Sequence, residues 1–280
     1  MPFRKYRPDE DPAPEIGSPL AEAVHRREKG TLTTVAEALR HRQAVLAYQP
    51  VLQARSPHQL AFYEGLIRVR DEAGRIIPAR DFMSAVESHE IGREIDCTTL
   101  DLGLETLALN PSIRLSLNMS ARSIGYPKWF AVLERHLAQN PTLGERLMLE
   151  ISEQSAMPMP ELVIDFMLRL QPQGIAFALD NFGSGATSFS AMRDFFFDAA
   201  KIDGQFAQGL HANPDNQAVV RALIAVARQF DMLIIAEHVE DLEDAELLAE
   251  LGVDCLQGYL FGAPSLRPPW GETQPRQQSA

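Results

Sequence analysis

Eight short runs rich in β-branched and aromatic residues, traded with stretches of helical pattern, dominate this sequence. They are "VLAYQPV" (45–51), "LAFYEGLIRV" (60–69), "RLSLNMS" (114–120), "RLMLEIS" (146–152), "IAFALDN" (175–181), "AAKID" (199–203), "MLIIAEH" (232–238) and "VDCLQGYLF" (253–261). Such alternation marks βα units and a largely parallel sheet. Helices are expected over 93–109, 128–138, 160–170, 187–197, 216–230 and 241–250; in the first, Ile95, Leu100, Leu102, Leu104 and Leu107 mark an apolar side.

Eight strands is the number that closes an α/β barrel, a fold that typically uses about 250 residues. The 280 residues and 45% apolar content suit one such domain with a large core. The gap between the first two runs is too short for a helical crossover, so that pair is expected to be antiparallel. The expected fold is therefore α/β, a modified TIM-type (β/α)8 barrel with an irregular, antiparallel first strand. Residues 31–266 would form the domain, with a largely disordered extension over 1–30 and a disordered tail over 267–280, both charged or Pro-rich.

Charge and composition restrict the partners. A net charge of −12 argues against DNA or RNA polymers, which call for a basic footprint. A small anionic ligand stays compatible if metal ions supply positive charge. The basic N-terminus lacks the apolar stretch of a secretory signal, and no run approaches the roughly 20 residues of a membrane span. Cys97 and Cys255 lie far apart in apolar surroundings, which fits a reducing compartment and buried thiols. The expectation is a cytoplasmic protein with no membrane partner.

Barrel enzymes collect their chemistry at the C-terminal ends of the strands, one residue from each. The polar residues that interrupt the apolar pattern late in the runs are Glu64 and Arg68, Asn118, Glu150, Asp180, Lys201 and Asp203, Glu237, and Gln257. Polar residues also mark strands that simply exit into water. Convergence of so many carboxylates is nonetheless costly unless something neutralises them. Glu64, Asn118, Glu150 and Asp180 offer only oxygen, which suits Mg²⁺, Mn²⁺ or Ca²⁺ and disfavours zinc. Lys201 is one of only four lysines and sits within an apolar strand. It could be a Schiff-base nucleophile, a point charge on a phosphate, or a partner to a carboxylate.

Across residues 32–265 the markers "YQPV", "YEGLIR", "LNMSAR", "LEISE", "LDNFGSG", "AKIDGQF", "AEHVE" and "LQGYLFG" occur in one order. By these the chain resembles the EAL-type cyclic di-GMP phosphodiesterases of bacterial second-messenger signalling, named for a Glu-Ala-Leu tripeptide. The resemblance implies hydrolysis of cyclic di-GMP to the linear dinucleotide pGpG, with one or two Mg²⁺ or Mn²⁺ ions. It implies Glu64, Asn118, Glu150, Asp180 and Asn181 as metal ligands, with Asp180 reaching both ions. Lys201, Glu237 and Glu64 would be catalytic: Lys201 contacts the scissile phosphate and the attacking water, and Glu237 supports the second ion and its water. Gln49, Leu66, Arg68, Asp203 and Gln257 would contact substrate, and Glu153 would anchor the loop after "DNFG". A homodimer near that loop is expected, as is regulatory input from expression, from a protein partner yet to be identified, or from an oligomer interface.

Three departures stand out. The tripeptide reads Glu64-Gly65-Leu66, which keeps the ligand and should have little effect. "EGVE" reads Glu237-His238-Val239-Glu240, with His238 expected as a tolerated loop residue. "DDFG" reads Asp180-Asn181-Phe182-Gly183, and Ala186 stands where an aromatic is usual. Asn181 can offer a carbonyl oxygen without charge. The loss is on the order of 1–3 kcal/mol, a roughly ten- to hundredfold weaker second ion. An inactive cyclic di-GMP receptor or interaction domain is therefore the alternative to an enzyme. A Schiff-base aldolase-like barrel using Lys201 ranks third. Gly183-Ser184-Gly185 lacks the rest of a dinucleotide fingerprint or P-loop, and "HEIGREID" lacks the second His of a zinc-protease helix.

Overall fold

The computed structural model describes residues 19–185 and 192–271. Its centre is a closed barrel of eight strands: β1 (Ala44–Gln53), β2 (Ser56–Arg70), β4 (Leu115–Asn118), β5 (Leu147–Ser152), β6 (Ala176–Phe182), β7 (Ala199–Ile202), β8 (Leu233–Ala236) and β9 (Cys255–Leu256). A short β3 (Ile76–Pro78) pairs with the end of β2 outside the ring. The order is β1-β9-β8-β7-β6-β5-β4-β2, and pairing of β1 with β2 closes it. β1 runs antiparallel to both neighbours, as the short first connection requires, and every other pair in the ring is parallel.

The barrel interior is built in layers, because strand side chains alternate between faces with period two. Val51, Phe62, Ala178, Ala199, Ile235 and Cys255 form a buried cluster apart from the main core, with Met148 packed on it. Two positions further toward the rim on the same strands stand Gln49, Glu64, Asp180, Lys201, Glu237, Gln257 and Glu150. On β1 the step runs backward, from Val51 to Gln49, because that strand alone is reversed. On β4 the corresponding step is from Ser116 to Asn118, opposite Glu64 and Glu150 respectively. An apolar plug thus supports a polar floor.

The outer helices include Glu90–Leu109, Pro127–Gln139, Pro160–Leu170, Pro214–Gln229 and Leu242–Leu251. Proline sits in the first turn of three of them, where its missing N–H has no intrahelical partner to lose. Their apolar faces seal the barrel through residues such as Trp129, Phe166 and Leu248, all buried in the main core.

Several expectations need correction. Residues 19–30, placed in a disordered extension, belong to the helix Pro19–Arg40, whose Val35 and Ala38 are buried. Its charged first half hid a helix built from strong helix formers, Ala, Glu and Arg. The tail is ordered as far as Gly271, and the Trp270 ring meets Tyr48 and Tyr63 edge-on at centroid distances of 5.0 and 4.4 Å. Of the helix expected over 187–197, residues 187–191 lie outside the described residues, and Arg193–Phe197 are non-helical. The last strand is only Cys255–Leu256 rather than 253–261, because the chain turns at Gly258 against Val239. Cys97 and Cys255 are buried free thiols. Among the described residues no helix is long and apolar enough to cross a membrane.

Candidate functional site

Lys201 is the hub of the polar floor. Its Nζ lies 2.6 Å from Glu150 Oε2, 2.8 Å from Glu237 Oε1, 3.3 Å from Glu64 Oε2 and 3.7 Å from Asp180 Oδ1. Glu64 is further held by the Asn118 amide, which donates to Oε1 at 2.6 Å, and by the Gln257 amide, which donates to Oε2 at 2.6 Å. Gln257 also donates to Gln49 Oε1 at 3.3 Å, and Gln49 donates to the Gly262 carbonyl at 3.1 Å. Seven strands therefore converge on one buried network, and Gln49 joins the eighth to it.

One ammonium cannot neutralise four carboxylates. Burial, reinforced by Glu64, pushes the Glu150 carboxyl up to about 8 despite its contact with Lys201. Burial likewise raises Glu237 well above the usual glutamate value. Burial acts to raise Glu64 too, but Lys201 and the amides of Gln257 and Asn118 outweigh it and hold this group low. Burial opposes the Lys201 charge, yet Glu150, Glu237, Glu64 and Asp180 outweigh it and keep the ammonium well above its ordinary pKa. The cluster is short of positive charge at neutral pH. Glu150 Oε1 and Asp180 Oδ1 are buried without a hydrogen-bond partner, the condition in which an ion or water is expected.

Asp180 reaches the floor through a bulge. β6 pairs with β7 at Leu179↔Ala200 and next at Phe182↔Ile202, so Asp180 and Asn181 together face the single residue Lys201. Asn181 takes the extra residue's left-handed conformation (φ 55°), which Asn tolerates better than most residues. Its amide donates to Asp180 Oδ2 at 2.8 Å. A second aspartate here would repel Asp180; the asparagine restrains it. The turn that follows is tied down by Glu153, which is fully buried and accepts the Gly183 N–H at 2.8 Å.

Not every expected site residue joins the network. Leu66 lines the adjoining cleft. Arg68 shares the face of Glu64 and Leu66, but its guanidinium donates to the Ile67 carbonyl at 2.9 Å. Asp203 caps the short helix Gly204–Ala207 by accepting the Gln205 N–H at 2.9 Å. His238, the loop residue after Glu237, is exposed with φ 55°. Among the described residues no three His, Cys, Asp and Glu side chains are gathered as a ready-made metal cage; the carboxylates close on Lys201 instead.

The cleft beside the floor has a volume of about 470 Å³ and runs from Glu64 and Asp180 to the β4 turn. Arg80, Arg93 and Arg122 lie along it and give an acidic site a basic flank. Sequence reading missed them as site residues, although Arg122 closes the "LNMSAR" marker. It missed Asp96 as well, which lines the same cleft. Asp96 is buried and accepts from Ser123 Oγ at 2.5 Å and the Ser120 N–H at 3.1 Å, so it pins the turn after Asn118. Among the five acids of Glu90–Leu109 only its burial sets Asp96 apart, so the sequence carried no separate signal.

Comparison with known proteins agrees with this geometry. The family model of the EAL domain matches residues 33–264. Cyclic di-GMP phosphodiesterase PdeB of Shewanella oneidensis is 28% identical over 234 residues, covering 82% of this chain and 27% of that protein. Cyclic di-GMP phosphodiesterase PdeF of Escherichia coli is 28% identical over 249 residues, covering 87% of this chain and 33% of that protein. The chain thus spans a third or less of the length of these relatives. The solved structure of the PaMucR phosphodiesterase in complex with c-di-GMP superposes with a TM-score of 0.73 at 27% identity, covering 84% of this chain and 97% of that one. The FimX EAL domain from Pseudomonas aeruginosa bound to c-di-GMP gives 0.76 at 26% identity, covering 84% and 96%. With a polar floor in the barrel mouth and a family match over most of its length, the chain belongs to the EAL domain family.

Proposed function

We propose that the chain binds cyclic di-GMP across the barrel rim and hydrolyses one phosphodiester bond to release linear pGpG, using one or two Mg²⁺ or Mn²⁺ ions. The observation that carries the metal reading is the pair of buried oxygens without a hydrogen bond, Glu150 Oε1 and Asp180 Oδ1, in a floor where carboxylates outnumber the one ammonium. The donor set is all oxygen, which fits a hard divalent cation. Glu64, Asn118, Glu150 and Asp180 would hold it, with Asn181 offering a neutral oxygen to a second. When bound, such ions supply Lewis acidity toward water and phosphoryl oxygen.

The chain's own residues supply the rest. Arg80, Arg93 and Arg122 attract the anionic ligand into the cleft. Lys201 keeps its proton and offers a fixed positive charge for the phosphate. Glu237, held 2.8 Å from the Lys201 ammonium, would orient the attacking water. Water adds to phosphorus, one ring P–O bond breaks, and the freed ribose hydroxyl takes up a proton.

A second reading, a receptor that binds without turnover, is favoured by Asn181, whose amide occupies one oxygen of Asp180. Incubation of the protein with cyclic di-GMP and either Mg²⁺ or Mn²⁺, beside Glu64→Ala and Asn181→Asp, decides between them. Linear product from the wild type supports the enzyme. Tight binding without product under either metal establishes the receptor, and failure to bind sinks both.

A further inference from the structure

We propose that His238 and Gly204 form a matched pair that positions Glu237 against Lys201. The proposal rests on the catalytic reading above. A Cβ built on Gly204 would lie 2.4 Å from His238 Nδ1, 2.6 Å from its Cγ and 2.8 Å from its Cβ. The imidazole therefore lies along the backbone of Gly204, in the space a side chain would fill. Gly204 is buried and opens the short helix capped by Asp203, three residues after Lys201 on the strand beside β8. His238 directly follows Glu237, so its ring locks the loop leaving β8 onto the turn leaving β7.

The other side of that loop is held just as closely. Val239 N–H donates to the Gln257 carbonyl at 3.0 Å, and Leu260 N–H donates to the Val239 carbonyl at 3.2 Å. A Cβ on Gly258 would meet the Val239 oxygen at 1.9 Å. Glu237 is thus set between two anchors, one on the β9 turn and one on the β7 turn. Only the second depends on a side chain.

That side chain is kept at a cost. His238 has φ 55°, where a Cβ is disfavoured and glycine is the usual solution. A histidine held in this conformation, with a glycine opposite that has no other occupant for the space, points to a paired arrangement at a functional rim. His238 is a positioning residue: its ring packs on Gly204 and acts through Glu237 rather than on the reacting atoms.

A double-mutant cycle tests this with Mn²⁺-supplied protein and cyclic di-GMP. Gly204→Ala and His238→Gly are each expected to lower kcat by roughly tenfold with KM within about twofold, since a shift below 1 Å at a reacting group has effects of this order. In Gly204→Ala/His238→Gly the alanine methyl takes part of the vacated space, and kcat should return to within about threefold of wild type. Urea unfolding of the four proteins should show the same non-additivity. Additive losses in kcat, or a Gly204→Ala protein that is less stable yet fully active, overturn the positioning role. A wild type that makes no linear dinucleotide sinks the functional reading and the catalytic part of the proposal together. In that case additive unfolding energies also overturn the pair, and non-additive ones retain it as a packing unit.

Discussion

The two halves of the barrel rim are built by different means. On the β2–β4–β5 side the pleat does the work: Glu64 stands opposite Ser116, Asn118 opposite Glu150, and each side chain points inward by simple alternation. On the β6–β7–β8 side the register breaks at Asp180-Asn181, and two residues at the floor's edge, Asn181 and His238, take the left-handed conformation. Two of the departures from the family motifs, Asn181 and His238, fall in this second half. A pleated position tolerates few side chains because its direction is set by its neighbours. A bulge or turn can accept a new residue when another gives way, as Gly204 does for His238.

The largest effects are expected in the regular half. Glu64→Ala removes the carboxylate that Asn118, Gln257 and Lys201 share, and turnover should fall about a thousandfold, corresponding to several kcal/mol of lost charge stabilisation. Product formation under saturating metal reads this. Lys201→Met tests the hub common to both halves. It leaves four carboxylates without their ammonium and should destabilise the metal-free protein by about 3–5 kcal/mol in urea, with Mg²⁺ or Mn²⁺ recovering part of the loss.

Asn181→Asp sharpens the contrast in the irregular half. Titration calorimetry should show metal binding strengthened roughly ten- to hundredfold. The metal-free variant should melt lower, because a hydrogen bond to Asp180 is replaced by repulsion. A variant with unchanged metal affinity would remove Asn181 as the source of any weakness in this half.

The pH dependence of stability probes the turn that supports the regular half. Burial pushes Asp96 up to about 7 from 3.8, against the hydrogen bonds from Ser123 and Ser120. The folded state then holds more protons than the unfolded state between these values, so this contribution is complete below pH 3.8 and is lost as pH rises through about 7. Chemical denaturation across that range should show the decline, and Asp96→Asn should flatten it. The smallest effect is expected from Gly65→Ala. A methyl there would lie 2.7 Å from Leu117 Cδ2, the mobile end of a side chain, so the cost should be about 1 kcal/mol with turnover unchanged.

The residues that interrupted the apolar runs in the sequence are largely those that meet at Lys201, because a period of two carries the apolar plug and the polar floor on the same strands. Arg80, Arg93 and Arg122 escaped that logic. They come from the turn after β3, from the helix Glu90–Leu109 and from the turn after β4, and in a linear reading each looks like an ordinary solvated arginine. The second role of Asp203 was hidden for a related reason: an acid just beyond a strand can also cap a helix, and only the Gln205 N–H contact shows that it does.

Alternation, strand count and the short first connection sufficed for the barrel, its antiparallel β1 and the identity of the acidic floor, since these follow from local periodicity and chain length. Which oxygen each proton or amide satisfies, how a single ammonium is shared among Glu64, Glu150, Asp180 and Glu237, and why His238 can stand where its backbone disfavours a side chain were decided by the closed fold. Those properties depend on burial and on atoms far apart in sequence, and neither exists until the barrel has closed.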